Sequence, residues 1–323
     1  LIEGRSLLRL TFERIVPVAG RRNVIVVANA SHRPWVRREI PEIMTDRLIE
    51  EEVGRDTAAS VALAAHWITR RFRDGIMIVL PADHWIAPAT SFRSRLRRAT
   101  GAARRTGDLV TIGLRPTCPD TGFGYIRPGK EVASGVRRVS AFVEKPSVAR
   151  ARRMVRSGRY LWNSGMFAWR ASSLLDELGR HRPEIAAPLE RWARRAPGAG
   201  AWKVPGAVLR RVPALSIDRA VLERSERVLV TPGAFRWSDV GNWEAVRRLL
   251  SKGTDGNGAI GGLMAVGAHR CLAINEGGLS VLVGVEDLVV VRSGDALLVC
   301  HRESAQAIRD VVRRLGRVSS RHL

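Results

Sequence analysis

Three apolar runs constrain the fold of this chain more than any other feature. Val24-Ile25-Val26-Val27, Ile76 to Leu80 (IMIVL) and Leu109 to Leu114 (LVTIGL) are almost wholly apolar. A strand that is apolar on both faces is one that is buried on both faces. Segments of helical character separate these runs. Thr57 to Thr69 (TAASVALAAHWIT) is Ala-rich with apolar residues on helical spacing, and Asp56 stands where an N-cap belongs. Ser91 to Arg105 reads as a basic helix. This alternation predicts an α/β domain: a parallel sheet covered by helices on both faces. In such sheets ligands sit beyond the carboxyl ends of the strands, which is where "PADH" follows IMIVL.

The texture changes near residue 255. From there to Cys300 the chain is a series of short strands with Gly and Asp turns, which predicts a small β-rich region, a coil of short strands. Glu303 to Leu315 closes it as a helix with Ala305, Ile308, Val312 and Leu315 on one face. The division expected is residues 1–252 and 253–323, and 323 residues suffice for a sizeable core.

Composition excludes some partners. No run of about 18 apolar residues is present, so no transmembrane helix is expected. Glu3 and Glu13 interrupt the N-terminal apolar residues, which argues against a signal peptide. Cys118, Cys271 and Cys300 are few, odd in number and far apart, and suit a reducing cytoplasm. The net charge of +23 comes from 50 Arg and only 4 Lys, spread along the whole chain. That skew reflects a GC-rich coding sequence more than a nucleic-acid partner. No zinc spacing, RNA-stacking motif or DNA-reading helix accompanies it.

Several short motifs can carry chemistry. "LPADHWI" (80–86) sets Asp83 just after a buried strand, and "FRWSDVGNW" (235–243) sets Asp239 between Trp237 and Gly241. Either carboxylate can be a plain turn former. Together they can supply the two protein ligands of a Mg²⁺ that otherwise binds phosphate. "FVEKP" (142–146) ends a strand with Glu144 and Lys145, either a solvated edge or a pair turned into a cleft. "DTGFGYI" (120–126) puts Gly122 and Gly124 around an aromatic, either a hairpin turn or a close backbone approach to a ligand. "GRDTAAS" (54–60) opens a helix whose N-terminus favours anions or polar base edges. In "YLWNSGMFAW" (160–169) a polar turn, Asn163-Ser164-Gly165, is expected inside an apolar segment. It is either a tight turn under the core or a backbone and amide held against a ligand.

In their order, EEVGRDTAASVALAA, LPADHWI, TGFGYI, FVEKP, YLWNSGMFAW, SIDRAVLE and WSDVGNWEAV resemble the mannose-1-phosphate guanylyltransferases of the sugar nucleotidyltransferases. The resemblance implies a Rossmann-like nucleotidyltransferase domain with a mixed, mostly parallel sheet, followed by a small left-handed β-helix-like region. It implies that Asn163 and Gly165 face the sugar, with Trp162, Met166 and Phe167 in the wall behind. Glu144 would hold sugar hydroxyls, Lys145 the sugar phosphate, and Gly124 would lie at the substrate. Asp83 and Asp239 would hold Mg²⁺, and Arg55, Asp56 and Thr57 would lie by the nucleotide base. With Lys145, the two Asp would be the catalytic residues.

The activity implied is GTP plus α-mannose 1-phosphate giving GDP-mannose and pyrophosphate, in the cytoplasm, without nucleic acid or membrane as partner and with a homo-oligomer open. Alternatives are another hexose-1-phosphate nucleotidyltransferase or a non-catalytic paralogue that binds a sugar nucleotide. The chain departs from the family where Glu52 and Ala59 replace prolines, Asp56 an asparagine and Arg219 a tyrosine. The Gly-rich signature expected ahead of "GRSLLRLTFERI" is absent, and with it the triphosphate cradle and a strand near the middle of the sheet. The expectation is open edges on the neighbouring strands and little or no turnover.

Overall fold

The computed structural model describes residues 4–198, 200–251 and 253–318. In chain order the elements are α1 (Leu7–Ala19), β1 (Val26–Asn29), α2 (Arg33–Glu39), β2 (Leu48–Glu51), α3 (Asp56–Phe72), β3 (Ile76–Val79), β4 (Trp85–Ala87), α4 (Ala89–Thr106), β5 (Leu109–Leu114), β6 (Tyr125–Ala133), β7 (Val136–Val143), α5 (Val148–Ser157) and β8 (Leu161–Arg170). There follow α6 (Ala171–His181), α7 (Pro183–Arg195), β9 (Trp202–Val204), α8 (Gly206–Leu209), β10 (Val228–Pro232), β11 (Arg236–Ser238), α9 (Trp243–Leu250), β12 (Gly258–Val266), β13 (Leu272–Val283), β14 (Leu288–Ser293), β15 (Ala296–His301) and α10 (Ile308–Val318). Two compact units result: a larger one of Arg5–Ala82 and Ile86–Arg236, and a smaller one of Gly4, Asp83–Trp85 and the chain from Trp237 onward. α9 groups by contact with the β-rich residues, so the smaller unit takes in residues ahead of the expected 252/253 division.

The larger unit is an α/β fold. Strands β1, β2 and β9 form a parallel sheet, with Val26 opposite Leu48 and Ile49 opposite Trp202. The second sheet has the order β3-β8-β5-β10-β7-β6. There β5 and β10 pair in parallel, and the remaining neighbours are antiparallel. Strands β3, β5, β10 and β6 therefore run one way and β7 and β8 the other, a mixed sheet with most strands codirectional. Successive strand residues feed two cores. Leu109, Phe167, Trp169 and Val228 meet α3, α6 and α7 on one face, while Val110, Ala168 and Leu229 meet Ala99, Ala102 and Ala103 of α4 on the other. The small alanines of α3 and α4 are buried and let these helices lie close to the sheet. Part of the arginine excess serves the fold. Arg47 and Arg71 lie over the buried Trp67 ring at 4.7 and 4.1 Å, and Asp108 takes Arg138 at 2.9 Å and Arg227 at 3.3 Å.

Two expectations change here. Residues 163–165 are not a turn but the middle of β8. Thr111 faces Phe167 while Gly113 faces Asn163, so β8 carries extra residues as a bulge. Gly165 takes φ +69°, open to glycine at little cost, and the Ser164 hydroxyl donates to the Ile112 carbonyl at 2.7 Å. Side chains thus replace the ladder bonds that the bulge removes, which is how a buried strand tolerates Asn, Ser and Gly. Nor does Asp56 cap α3 from outside. Arg55 holds the cap position, and Asp56 is the first helical residue at φ +60°, its Oδ1 accepting the Thr57 N–H at 2.6 Å.

Strands β1 and β3 stand at the ends of their two sheets among the described residues. Both border a cavity of about 740 Å³, lined by Val24–Val27 and Ile76–Leu80, by Val61, Ala64 and Ile68 of α3 and by Phe12 and Ile15 of α1. Its lining also includes Thr57, Ser60, Gly165 and Asp218.

In the smaller unit β12, β13 and β14 stack in parallel, with Gly258 beside Leu272 and Leu272 beside Val289. β15 returns antiparallel to β14. Cys271 and Leu272 are fully buried within this coil. The closing helix is shorter at its start than expected, because Arg302–Ala307 form a 3₁₀ turn ahead of α10. Among the described residues no helix is long and apolar enough to cross a membrane.

Candidate active site

Three sequence-distant segments of the larger unit converge on residues 215–223, whose centre, Asp218–Leu222, is a π-helical turn, and a fourth joins through one of them. The start of α3 joins first: the Ala58 N–H donates to the Leu215 carbonyl at 3.1 Å, and the Ile217 N–H to Thr57 Oγ1 at 2.9 Å. The end of β7 joins next, the Glu144 N–H donating to Glu223 Oε1 at 2.7 Å. The bulge of β8 joins through Asn163, whose Nδ2 donates to Asp218 Oδ1 at 2.6 Å. The loop before β6 joins through Gly124, whose carbonyl accepts the Asn163 N–H at 2.8 Å. A Cβ on Gly124 would collide with Glu144 Oε2 and press on Asn163 Cβ at 3.3 Å. The glycine there makes room for this chain's own carboxylate.

The Asn163 amide is held on several sides. Its Oδ1 accepts from Thr111 Oγ1 at 3.0 Å and from the Gly165 N–H at 3.4 Å. With Nδ2 donating to Asp218, one N–H of the amide remains for another partner. Its neighbours in the strand, Trp162, Met166 and Phe167, are buried.

Two carboxyls here are raised. Glu144 is pushed up to about 7, first by burial and then by the charge of Asp218, against the pull of Lys145. Its Oε2 is buried without a hydrogen-bond partner. Asp218 is pushed up to about 6 by burial, opposed by the Asn163 bond. Lys145 stands at φ +49°, a conformation that long side chains seldom adopt and that clusters at functional sites. The strand ends at Val143, so Glu144 and Lys145 lie beyond its alternation, Glu144 half-buried and Lys145 exposed. Arg219 adds a second cation that favours ionised Glu144.

The helix-start residues divide differently. Asp56 bears on Asp218 by charge and Thr57 opens onto the cavity. The Arg55 guanidinium instead donates to the Leu209 carbonyl at 2.9 Å, bracing the scaffold. Sequence reasoning passed over Asp218, Glu223 and Thr111. The first two lie in SIDRAVLE, where a carboxylate at each end of one turn was the available signal.

Asp83 and Asp239 belong to the smaller unit. The Trp237 Nε1–H donates to His84 Nδ1 at 3.1 Å, which ties the segments carrying the two carboxylates together. Val240 takes φ +52°, a genuine outlier for a β-branched residue, directly after Asp239. A Cβ on Gly241 would come within 2.6 Å of Asp239 Oδ2, so the glycine keeps space beside that oxygen. Two hard carboxylates and no larger cage suit Mg²⁺, which takes one or two protein carboxylates and completes its shell with water and phosphate. Among the described residues no group of three or more His, Cys, Asp or Glu gathers in a metal-binding cluster.

Residues 1–255 match the family described as Nucleotidyl transferase, and residues 261–315 the MannoseP isomerase/GMP-like beta-helix domain. The chain belongs to the nucleotidyl transferase family. A solved structure from Thermus thermophilus, titled a mannose-1-phosphate geranyltransferase, is 35% identical with a TM-score of 0.88, covering 98% of this chain and 91% of that one. The mannose-1-phosphate guanylyltransferase of Escherichia coli is 37% identical over 308 residues, 92% of this chain and 64% of its own length. The alginate biosynthesis protein AlgA of Pseudomonas aeruginosa is 35% identical over 316 residues, 96% of this chain and 64% of its own length. The chain thus spans about 64% of the length of these curated relatives. Within this nucleotidyl transferase, two departures from the mannose-branch pattern have local reasons. Glu52 accepts the Gly206 N–H at 2.6 Å, a bond that proline could not make. Asp56 stands at positive φ, which Asn and Asp both tolerate.

Proposed function

We propose that this nucleotidyl transferase joins GTP and α-mannose 1-phosphate to give GDP-mannose and pyrophosphate. The observation that carries the reading is that Glu144 and Asn163 bond to one turn, with Lys145 next to Glu144 in the chain. A sugar phosphate needs acceptors for hydroxyls next to a cation for phosphate, and this cluster supplies both. The names of the Escherichia coli and Thermus thermophilus relatives support the same substrate.

Lys145 binds the sugar phosphate and keeps its attacking oxygen unprotonated. Glu144 and Asn163 hold sugar hydroxyls and so fix where that oxygen points. The oxygen attacks the α-phosphorus of GTP in line, the new P–O bond forms, and the bond to pyrophosphate breaks with its electron pair leaving on pyrophosphate. Thr57 and Asp56, at the start of α3, offer polar groups to the base. Mg²⁺ held by Asp83 and Asp239 would neutralise the phosphate charge. Little covalent work falls to the protein, and positioning supplies most of the effect.

The test is turnover of GTP and mannose 1-phosphate with Mg²⁺, compared with Asp83→Asn and Asp239→Asn. Each substitution should abolish Mg²⁺-dependent turnover and leave the circular dichroism and melting curve unchanged. Near wild-type rates at saturating Mg²⁺ would make that carboxylate structural. GDP-mannose binding without turnover would favour the non-catalytic reading.

A further inference from the structure

The Asp218 carboxyl keeps acceptor capacity where the Asn163 amide oxygen is fully occupied. Its Oδ1 accepts from Asn163 Nδ2, and its own backbone N–H also bears on the carboxyl, which leaves lone pairs of the two oxygens for a further donor. The residue lines the cavity beside Thr57, Ser60 and Gly165. The Asn163 amide, by contrast, has its oxygen occupied by Thr111 and Gly165 and one of its two N–H groups by Asp218. A carboxylate at the wall of a cavity accepts hydrogen bonds and cannot donate them while ionised. A sugar hydroxyl is a donor of the matching kind.

We propose that Asp218 is a specificity-determining residue whose carboxylate accepts a hydrogen bond from one hydroxyl of the bound hexose 1-phosphate, with Asn163 serving chiefly to orient it. The inference rests on the sugar-phosphate reading above and assigns its discrimination to a different side chain. Because Asn163 is itself fixed by Thr111 and by the bulge, the position of the carboxylate is set through four hydrogen-bonded groups and not by one free rotamer. A hexose lacking the hydroxyl, or carrying it in the other orientation, leaves that acceptor desolvated and unpaired, and that loss is the source of discrimination.

The experiment is a binding series by calorimetry. Mannose 1-phosphate and its 2-, 3-, 4- and 6-deoxy analogues are titrated into the wild-type chain, Asp218→Ala and Asp218→Asn. In Asp218→Asn the amide oxygen can still accept from Asn163, which puts an NH₂ in place of the other oxygen and keeps the brace while removing that acceptor. Both variants should weaken mannose 1-phosphate binding by roughly 10–100-fold. For one deoxy analogue the wild type should already be weak and the variants no weaker. A uniform loss across parent and analogues, or an Asp218→Asn that binds like wild type, would make Asp218 a brace only and overturn the assignment. Should the wild-type chain bind no hexose 1-phosphate, the sugar-phosphate reading falls, and the assignment with it.

Discussion

Glu144→Gln should stabilise the fold at neutral pH while harming its chemistry. The Glu144 carboxyl is raised from 4.5 to about 7, so the folded chain holds this proton more tightly than the unfolded chain does. Its contribution is fully present below the unfolded value and is lost as pH rises through the folded one. Between those limits wild-type stability falls with pH from this source. The full shift corresponds to a ceiling of roughly 3 kcal/mol. Solvent reaches part of the side chain, and Asp218 shares the coupling, so about 1–2 kcal/mol is the realistic figure. Glutamine is nearly isosteric and cannot ionise, so it escapes this loss. Urea denaturation of both proteins at pH 4.5, 6 and 8 reads the effect. The stability gap should be near zero at pH 4.5 and grow in favour of Glu144→Gln by pH 8, or roughly 2–6 °C in melting temperature. Other titrating groups are common to both proteins and cancel in the difference. A gap independent of pH, or a variant less stable at pH 8 than at pH 4.5 relative to wild type, would refute the buried-carboxylate reasoning.

Three further outcomes are expected. Lys145→Ala should raise the KM for the sugar phosphate by roughly 10–100-fold and leave that for GTP within about two-fold, since it removes one charge-assisted phosphate contact; steady-state kinetics with each substrate varied checks it. Gly165→Ala should cost about 1–2 kcal/mol in urea denaturation and also weaken sugar-phosphate binding, because a Cβ is forced into φ +69° within the bulge that aims Asn163. Gly158→Ala, at φ +65° with nothing within 4 Å of its Cβ, should show a similar stability cost and unchanged binding. In hydrogen exchange the amides of β1 and β3, at the ends of their sheets, should exchange faster than those of β5 and β8, which are paired on both sides.

Much of the larger unit was legible because burial on both faces of a strand leaves a continuous apolar run, and Leu109–Leu114 forms the strand expected of it. The helix from Thr57 and the β-rich texture after residue 255 were legible for the same local reasons, periodicity and turn chemistry. FVEKP and WNSG could be marked as unusual from their residue types alone. What local pattern could not carry was β8 as an antiparallel strand, since a bulge with Asn, Ser and Gly imitates a turn until Ile112 and Thr111 are seen across from it. Nor could it show Asp218 as the partner of Asn163, 55 residues away in the chain. A carboxylate in SIDRAVLE looks solvated by composition. Only packing decides that it is desolvated, raised to about 6 and set at the wall of a cavity, because desolvation belongs to what surrounds a group and not to the residues beside it in the chain.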